Sequence, residues 1–466
     1  MTAQPEVGTK IRLPDSTDTP VNVLLFDGPR GAAVRLLSRA ENTDANINNL
    51  LDAEFRRNEW SAYDRALIIE LVFGTLRWQG RLDWILTGFY HGEFAKCIPT
   101  IKFAMRIALY QILMLAKIPP ATAIQECASL VRRIKDDKSA NAISGVLKNI
   151  LRNIDNIRYP SKDDNFQLFI SVTLSHPLWM VKRWCERYGE ETAEKILSAN
   201  NERAHLHVYA NHRRTTPEVL AEKLRGAECT SEAMPHFPNV LRINGLQNIA
   251  SMEPFMAGDC IVARDIDVYI SRLANIGTNA SVRISCPDRS TISMSIPFLC
   301  TEQASFTTFA RFDVQASARA DRWKALGVRS CQVLTPSTKE SPDALYDVVI
   351  IEPKVSGLGL LHARPEMRWR IELDAVRKGS EHQRAALEEA ALRVAAGGVL
   401  VYACSSFESE ETFDIIKGFL ESHPEFSLDD ASGYCDASVC RDGCLSIQFH
   451  VHKVDTVFAA RLVRSR

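Results

Sequence analysis

Two side chains able to make or relay bonds stand at the ends of apolar runs in this chain. Cys404 closes Val399-Leu400-Val401-Tyr402-Ala403 just before Ser405 and Ser406, and a thiolate there would be a nucleophile. Glu352 closes Asp347-Val348-Val349-Ile350-Ile351, where a carboxyl group can protonate or hydrogen-bond a polar ligand edge. Each has a plainer reading as well, a small packing residue for the first and a strand-end charge for the second. Between them lies Ser356-Gly357-Leu358-Gly359, whose glycines permit close backbone approach to a ligand. Arg364-Pro365-Glu366 and Arg368-Trp369-Arg370 follow, offering cations for phosphates and an aromatic surface.

The elements that must position these residues can be read from spacing. From about Ala257 onward, short β-branched runs alternate with helices: residues 282–284, a helix over Val314 to Leu326, then residues 332–334 and 347–351. A helix opened by Ser380, with Gln383 as its capping partner, runs to Val394, and a strand follows Gly397-Gly398. Such alternation predicts a parallel, doubly wound sheet, with ligands beyond the carboxyl ends of its strands, where Glu352 and Cys404 fall. Residues from about Gly31 to Asn156 read as helices throughout. Ser61 stands three before Asp64 as a capping-box start, LIIELVFGTLRWQGRLDWIL reads as two packed helices, and Pro119-Pro120 breaks the next segment before NAISGVLKNILRNI closes the bundle.

Composition bounds the function classes. The chain has 466 residues, a formal net charge of -1 and 46% apolar residues, which suits a multidomain globular protein with no global pull on a polyanion. No apolar run approaches the ~20 residues needed to span a bilayer, so the expected compartment is the cytoplasm and no membrane partner is expected. Twelve scattered cysteines are expected to be free thiols. Between Val131 and Lys162, eight cations including Arg132, Arg133, Lys148 and Arg152 face three acids, giving +5; this is either a phosphate-binding patch or a solvated helical surface. Cys435, Cys440 and Cys444 with His450 and His452 fit no familiar zinc spacing, and the alternation of LSIQFHVH points to a strand instead; no metal is expected.

Taken together, EPKVSGLGLLHARPEMRWR and VYACS resemble the substrate loop and nucleophile motif of the RsmB/NOP/Sun family of RNA (cytosine-5) methyltransferases. LVFGTLRWQGRLDWIL and the IPPATA turn resemble the NusB-like helical RNA-binding domain that opens RsmB-like members. The resemblance implies a disordered or extended N-terminus over residues 1–30, a NusB-like domain over 31–156 and a helical linker over 157–204. A small α+β domain over 205–256 and a Rossmann-like methyltransferase domain over 257–466 would follow. It further implies S-adenosyl-L-methionine as cofactor and ribosomal RNA, not DNA, as partner. Cys404 becomes the nucleophile, Glu352 the acid at the base edge, and Ser356, Gly357, Arg364 and Arg368 the RNA contacts, to which the charge cluster adds Arg132, Arg133, Lys148 and Arg152.

This sequence departs from the family pattern at several chemical positions. Lys354 and Val355 replace a proline and the second cysteine, which helps release product. No glycine occurs from Val282 to Ser295, where the family has a Pro-Gly-Gly-Lys-type cofactor loop; the residues left to contact a cofactor are Cys286, Pro287, Asp288, Arg289 and Ser290, together with Asp313. The acid that would hold the ribose falls near Ala310. The expectation is an RNA-binding member with weak or lost catalysis; the alternative is an active enzyme with a divergent cofactor loop.

Overall fold

A computed structural model describes residues 26–466 apart from 44, 227–228, 235–236, 245–251, 289, 301–302 and 339. The chain divides into two compact units: one comprises the residues up to Thr75 with Ile85–Ile157, the other Leu76–Trp84 with Arg158–Arg466.

The first unit is helical, with Gly28–Asn42, Ile47–Arg57, Pro99–Met114, Pro120–Ile134 and Asp137–Arg152 as its main elements beside its share of Ala62–Phe89. Ser61 caps the last of these, its hydroxyl accepting from the Asp64 N–H. The segment expected to form two helices is one helix of 28 residues. Its interior Gly74 costs about 1 kcal/mol of helix propensity, but a Cβ there would lie 2.1 Å from the Tyr110 ring, so the glycine is what lets that ring pack. Pro120 opens its helix at the first turn, where its missing N–H has no intrahelical partner to lose.

The second unit contains the helices Phe166–Thr173, Leu178–Tyr188 and Glu190–Ala199, followed by two sheets. In the small sheet, β1 (Leu206–Ala210), β2 (Thr230–Met234), β3 (Phe237–Asn244) and β4 (Cys260–Val262) run in the order β2-β3-β1-β4. The large sheet has a parallel centre of β5 (Ser281–Ser285), β6 (Ser305–Phe309), β7 (Cys331–Leu334), β8 (Tyr346–Ile351) and β9 (Val394–Cys404). Its antiparallel end consists of β10 (Phe426–Asp429), β11 (Cys440–Arg441), β12 (Cys444–Ile447) and β13 (Val457–Arg464). The order is β11-β12-β13-β9-β8-β5-β6-β7, so the expected parallel, doubly wound sheet forms a Rossmann-like centre that carries an antiparallel end. Helices cover both faces: Ile266–Ala274, Ile292–Leu299 and Asp313–Leu326 pack on one, Asp374–Ala391 and Phe413–Ser422 on the other.

Three local expectations change. The helix before β9 starts at Asp374, six residues ahead of Ser380, because Asp374 pairs with Arg377 and Lys378 across its first turn; the Ser380 hydroxyl instead donates to the Arg377 carbonyl. β9 begins at Val394, ahead of the glycine pair, and bulges against β8 with Gly397 at φ +76°. LSIQFHVH is a strand only to Ile447; Phe449–His452 is a helical turn whose Phe449 ring stacks on His362 at 4.2 Å. All twelve cysteines are free thiols, and no described helix is long and apolar enough to cross a membrane.

Candidate functional site

Strand order reverses between β5 and β8, and the crevice at such a switch point is where α/β sheets hold ligands. Glu352 sits there, its N–H donating to the Ser285 carbonyl across the strand ends. Side chains alternate along a strand. Val348 and Ile350 of β8, with Val401 and Ala403 of β9, face the Ile266–Ala274 side, so Glu352 and Ser405 share that side. Val349, Ile351, Tyr402 and Cys404 face the other.

Into this crevice comes a residue that the sequence reading did not single out, Arg264, just past β4. Its guanidinium donates to Glu352 Oε1 at 2.8 Å, Ser405 Oγ at 3.1 Å and Thr291 Oγ1 at 3.2 Å, with Asp267 Oδ1 at 3.7 Å. Burial works against its charge, but Glu352 and Asp267 more than offset that and raise the guanidinium pKa. Asp267 is pushed upward by burial, with Arg264 opposing. Glu352 Oε2 and Asp267 Oδ1 are buried without a hydrogen-bond donor. The available signal was Arg264-Asp265-Ile266-Asp267, a cation among acids directly ahead of an amphipathic helix. Beside Glu352, a cavity of about 240 Å³ is lined by residues including Arg283, Cys286, Pro287 and Lys354.

Cys404 is fully buried among the apolar residues of the opposite face, and its thiol donates to the Glu411 carbonyl at 3.3 Å. Burial first, then the Glu411 carboxylate, pushes the thiol pKa far up, so the group is a thiol near neutrality. Glu411 is raised by burial, yet it accepts from Ser356 N, Ser356 Oγ and Ser406 Oγ. Ser356 is thus spent on an internal carboxylate. Gly357 has φ +91°, and a Cβ on Gly359 would stand 2.5 Å from the Ser405 carbonyl oxygen, so this loop needs its glycines to lie against the end of β9.

Among the residues expected to meet a cofactor, Cys286 is raised by burial and then by Glu352. Pro287 accepts from Ser290 N at 2.8 Å, and Ser290 Oγ accepts from Ile292 N, so the loop closes on itself around exposed Asp288. Arg289 lies outside the described residues. Asp313, at the start of the helix after β6, accepts from Thr335 Oγ1 at 2.6 Å and Ser337 Oγ at 2.9 Å, which lower its pKa. Ala310, just past β6, is buried, and Phe312 two residues on is exposed.

Arg364 is partly exposed and pairs with Glu366 at 3.3 Å. Arg368 is completely buried: Nη1 donates to Arg77 O, Ser175 O and Asn201 Oδ1, and Nη2 to Asn200 O. The expectation of a solvent-facing phosphate contact is therefore corrected for this residue, which ties main-chain carbonyls together. Trp369 likewise donates to Leu76 O at 2.8 Å. In the first unit, Arg132 is exposed and pairs with Asp137, Arg133 is half-buried, and Lys148 and Arg152 are exposed one turn apart on the Asp137–Arg152 helix. Cys435, Cys440, Cys444, His450 and His452 form no metal-ligating group among the described residues.

Three family models match the chain: the NusB family over residues 28–152, the RsmF/B-like methyltransferase ferredoxin-like domain over 176–250, and 16S rRNA methyltransferase RsmB/F over 300–463. The chain is similar to the probable ribosomal RNA small subunit methyltransferase B of Bacillus subtilis, 25% identical over 442 residues that cover 92% of this chain and 97% of that protein. Its counterpart in Synechocystis is 23% identical over 446 residues, covering 94% and 99%. Among solved structures, PH0851 superposes with a TM-score of 0.75 at 19% identity, covering 93% of this chain and 98% of that one. NSun6 from Pyrococcus horikoshii, solved with SFG, gives a TM-score of 0.53 at 14% identity over 62% of this chain and 98% of that one. Both share the fold.

Proposed function

The chain belongs to the RsmB/NOP/Sun family, that of the ribosomal RNA small subunit methyltransferases, and from that premise we propose an RNA-binding member in which methyl transfer to cytosine is weak or lost. One observation carries the reading: the Arg264 guanidinium lies on Glu352 and Ser405, where the acid of a base pocket would be needed. Cytosine methylation at carbon-5 requires a sulfur nucleophile. The cysteine at the end of β9 faces the other side of the sheet as a buried thiol, and the side chain on the Glu352 side is the hydroxyl of Ser405.

The residues at the strand ends also fit S-adenosylmethionine poorly. Its adenosine needs acceptors for two ribose hydroxyls and an open backbone cradle. Here Asp313 is engaged by Thr335 and Ser337, no acid stands at Ala310, and the turn after β5 is closed by its own serine. Loss of three such contacts at ~1–3 kcal/mol each weakens binding by several orders of magnitude. A second reading, an active enzyme with a rearranged loop, is favoured by the cavity of about 240 Å³ beside Glu352.

Calorimetry with S-adenosylmethionine separates the two: micromolar affinity would sink the first. Ribosomal RNA incubated with labelled donor should gain few or no methyl groups, while still binding the protein with a salt-dependent affinity that falls when Arg132 and Arg133 are reversed to glutamate. The site of action is expected to be the cytoplasm.

A further inference from the structure

We infer that Arg264 is an internal ligand, a guanidinium supplied by the chain itself that fills the pocket between Glu352 and Ser405 and closes it to external planar cations and amidine edges. The inference deepens the proposed function and rests on its assignment of Glu352 as the base-edge acid. A long cationic side chain near a surface ordinarily keeps its head in water. This one does the opposite: it is only 21% exposed, and its nitrogens reach Glu352, Ser405 and Thr291, which lie 88, 141 and 27 residues away in sequence.

The pocket's chemistry suits the ligand class. Glu352 and Asp267 place two buried carboxylates around one guanidinium, and each keeps an oxygen without a hydrogen-bond donor. Two carboxylate oxygens are therefore left wanting donors, and a planar group with adjacent N–H donors is what such a site takes. The exocyclic amine of cytosine, which donates to carboxylates, supplies one such donor beside the acceptor N3. With Arg264 in place, Glu352 Oε1 is already occupied.

The test removes the internal ligand and offers a free one. Thermal unfolding of the full chain is followed with millimolar methylguanidinium chloride, against sodium chloride at equal ionic strength. Arg264→Ala should gain roughly 2–4 °C at ten times the dissociation constant, the wild type should not respond, and Arg264→Ala combined with Glu352→Gln should lose the response. An equal rise in the wild type, or a folded Arg264→Ala that ignores methylguanidinium, overturns the inference. If the variants do not fold, wild-type crystals soaked in cytidine decide it: density for the base on Glu352 with Arg264 swung aside overturns it, and an undisturbed Arg264 supports it. Methylguanidinium needs neither RNA nor methyl donor. Detection of cofactor binding would thus defeat the functional reading and leave this result standing.

Discussion

Replacing Arg368 with methionine distinguishes a residue that holds the fold from one that holds RNA. The guanidinium is buried and donates to Arg77 O at 2.9 Å, Ser175 O at 3.3 Å, Asn201 Oδ1 at 2.7 Å and Asn200 O. Methionine fills part of the volume; the Arg77 carbonyl keeps its helical donor, but the other three acceptors are stranded in a site that water does not reach. At the low end of ~1 kcal/mol per stranded acceptor, the loss is about 3 kcal/mol, a large part of the 5–15 kcal/mol that typically holds a domain together. With a urea dependence of ~3 kcal/mol per molar, the unfolding midpoint should fall by about 1 M. Tryptophan fluorescence is the readout, since Trp184 is fully buried in the core cluster that contains Leu358, Leu361 and Ile371. A midpoint that does not move, together with an RNA affinity that drops and a salt slope reduced by about one, would refute the argument and return Arg368 to the phosphate-binding role.

Other perturbations have equally definite signs. Burial, with Asp455 next to it, pushes the Asp265 carboxyl up to about 8. The native state then keeps a proton that the unfolded chain releases near pH 4, so this group's contribution to stability falls as pH rises from about 4 to about 8 and is level above; Asp265→Asn should flatten the pH profile of the melting temperature, and an unchanged slope would exclude the assignment. Gly359→Ala puts a Cβ 2.5 Å from the Ser405 carbonyl oxygen and should cost about 1–3 kcal/mol in chemical denaturation. Glu408 is wholly buried and accepts from Arg183, Arg187 and Trp184 Nε1, so Glu408→Gln should lower stability by about 3–5 kcal/mol; a melting temperature within a degree of wild type would contradict it.

Local order was legible in the sequence, and long-range order was not. Ser61 with Asp64 marks a helix start, and Pro120 a break, because caps and proline act within a turn of the chain. The positions of β5, β7 and β8 follow from β-branched runs. The same period of two, applied to Val399 through Ser405, would have put Cys404 with Tyr402 and Ser405 with Ala403, and so assigned the thiol to the face away from Glu352. Arg264 and Arg368 were out of reach for a different reason. Their partners lie as much as 141 and 291 residues away, and neither charge pattern nor propensity encodes the burial of a cation at such separations.

The division of the chain into units has a consequence for how the protein is made. Residues 76–84 belong to the second unit, yet they sit inside a helix whose two ends belong to the first. During synthesis from the N-terminus, that stretch emerges early, and the Arg368 guanidinium that donates to the Arg77 carbonyl follows 291 residues later. No single proteolytic nick can therefore release either unit intact, and dissecting the protein into halves requires transplanting those nine residues along with the C-terminal piece.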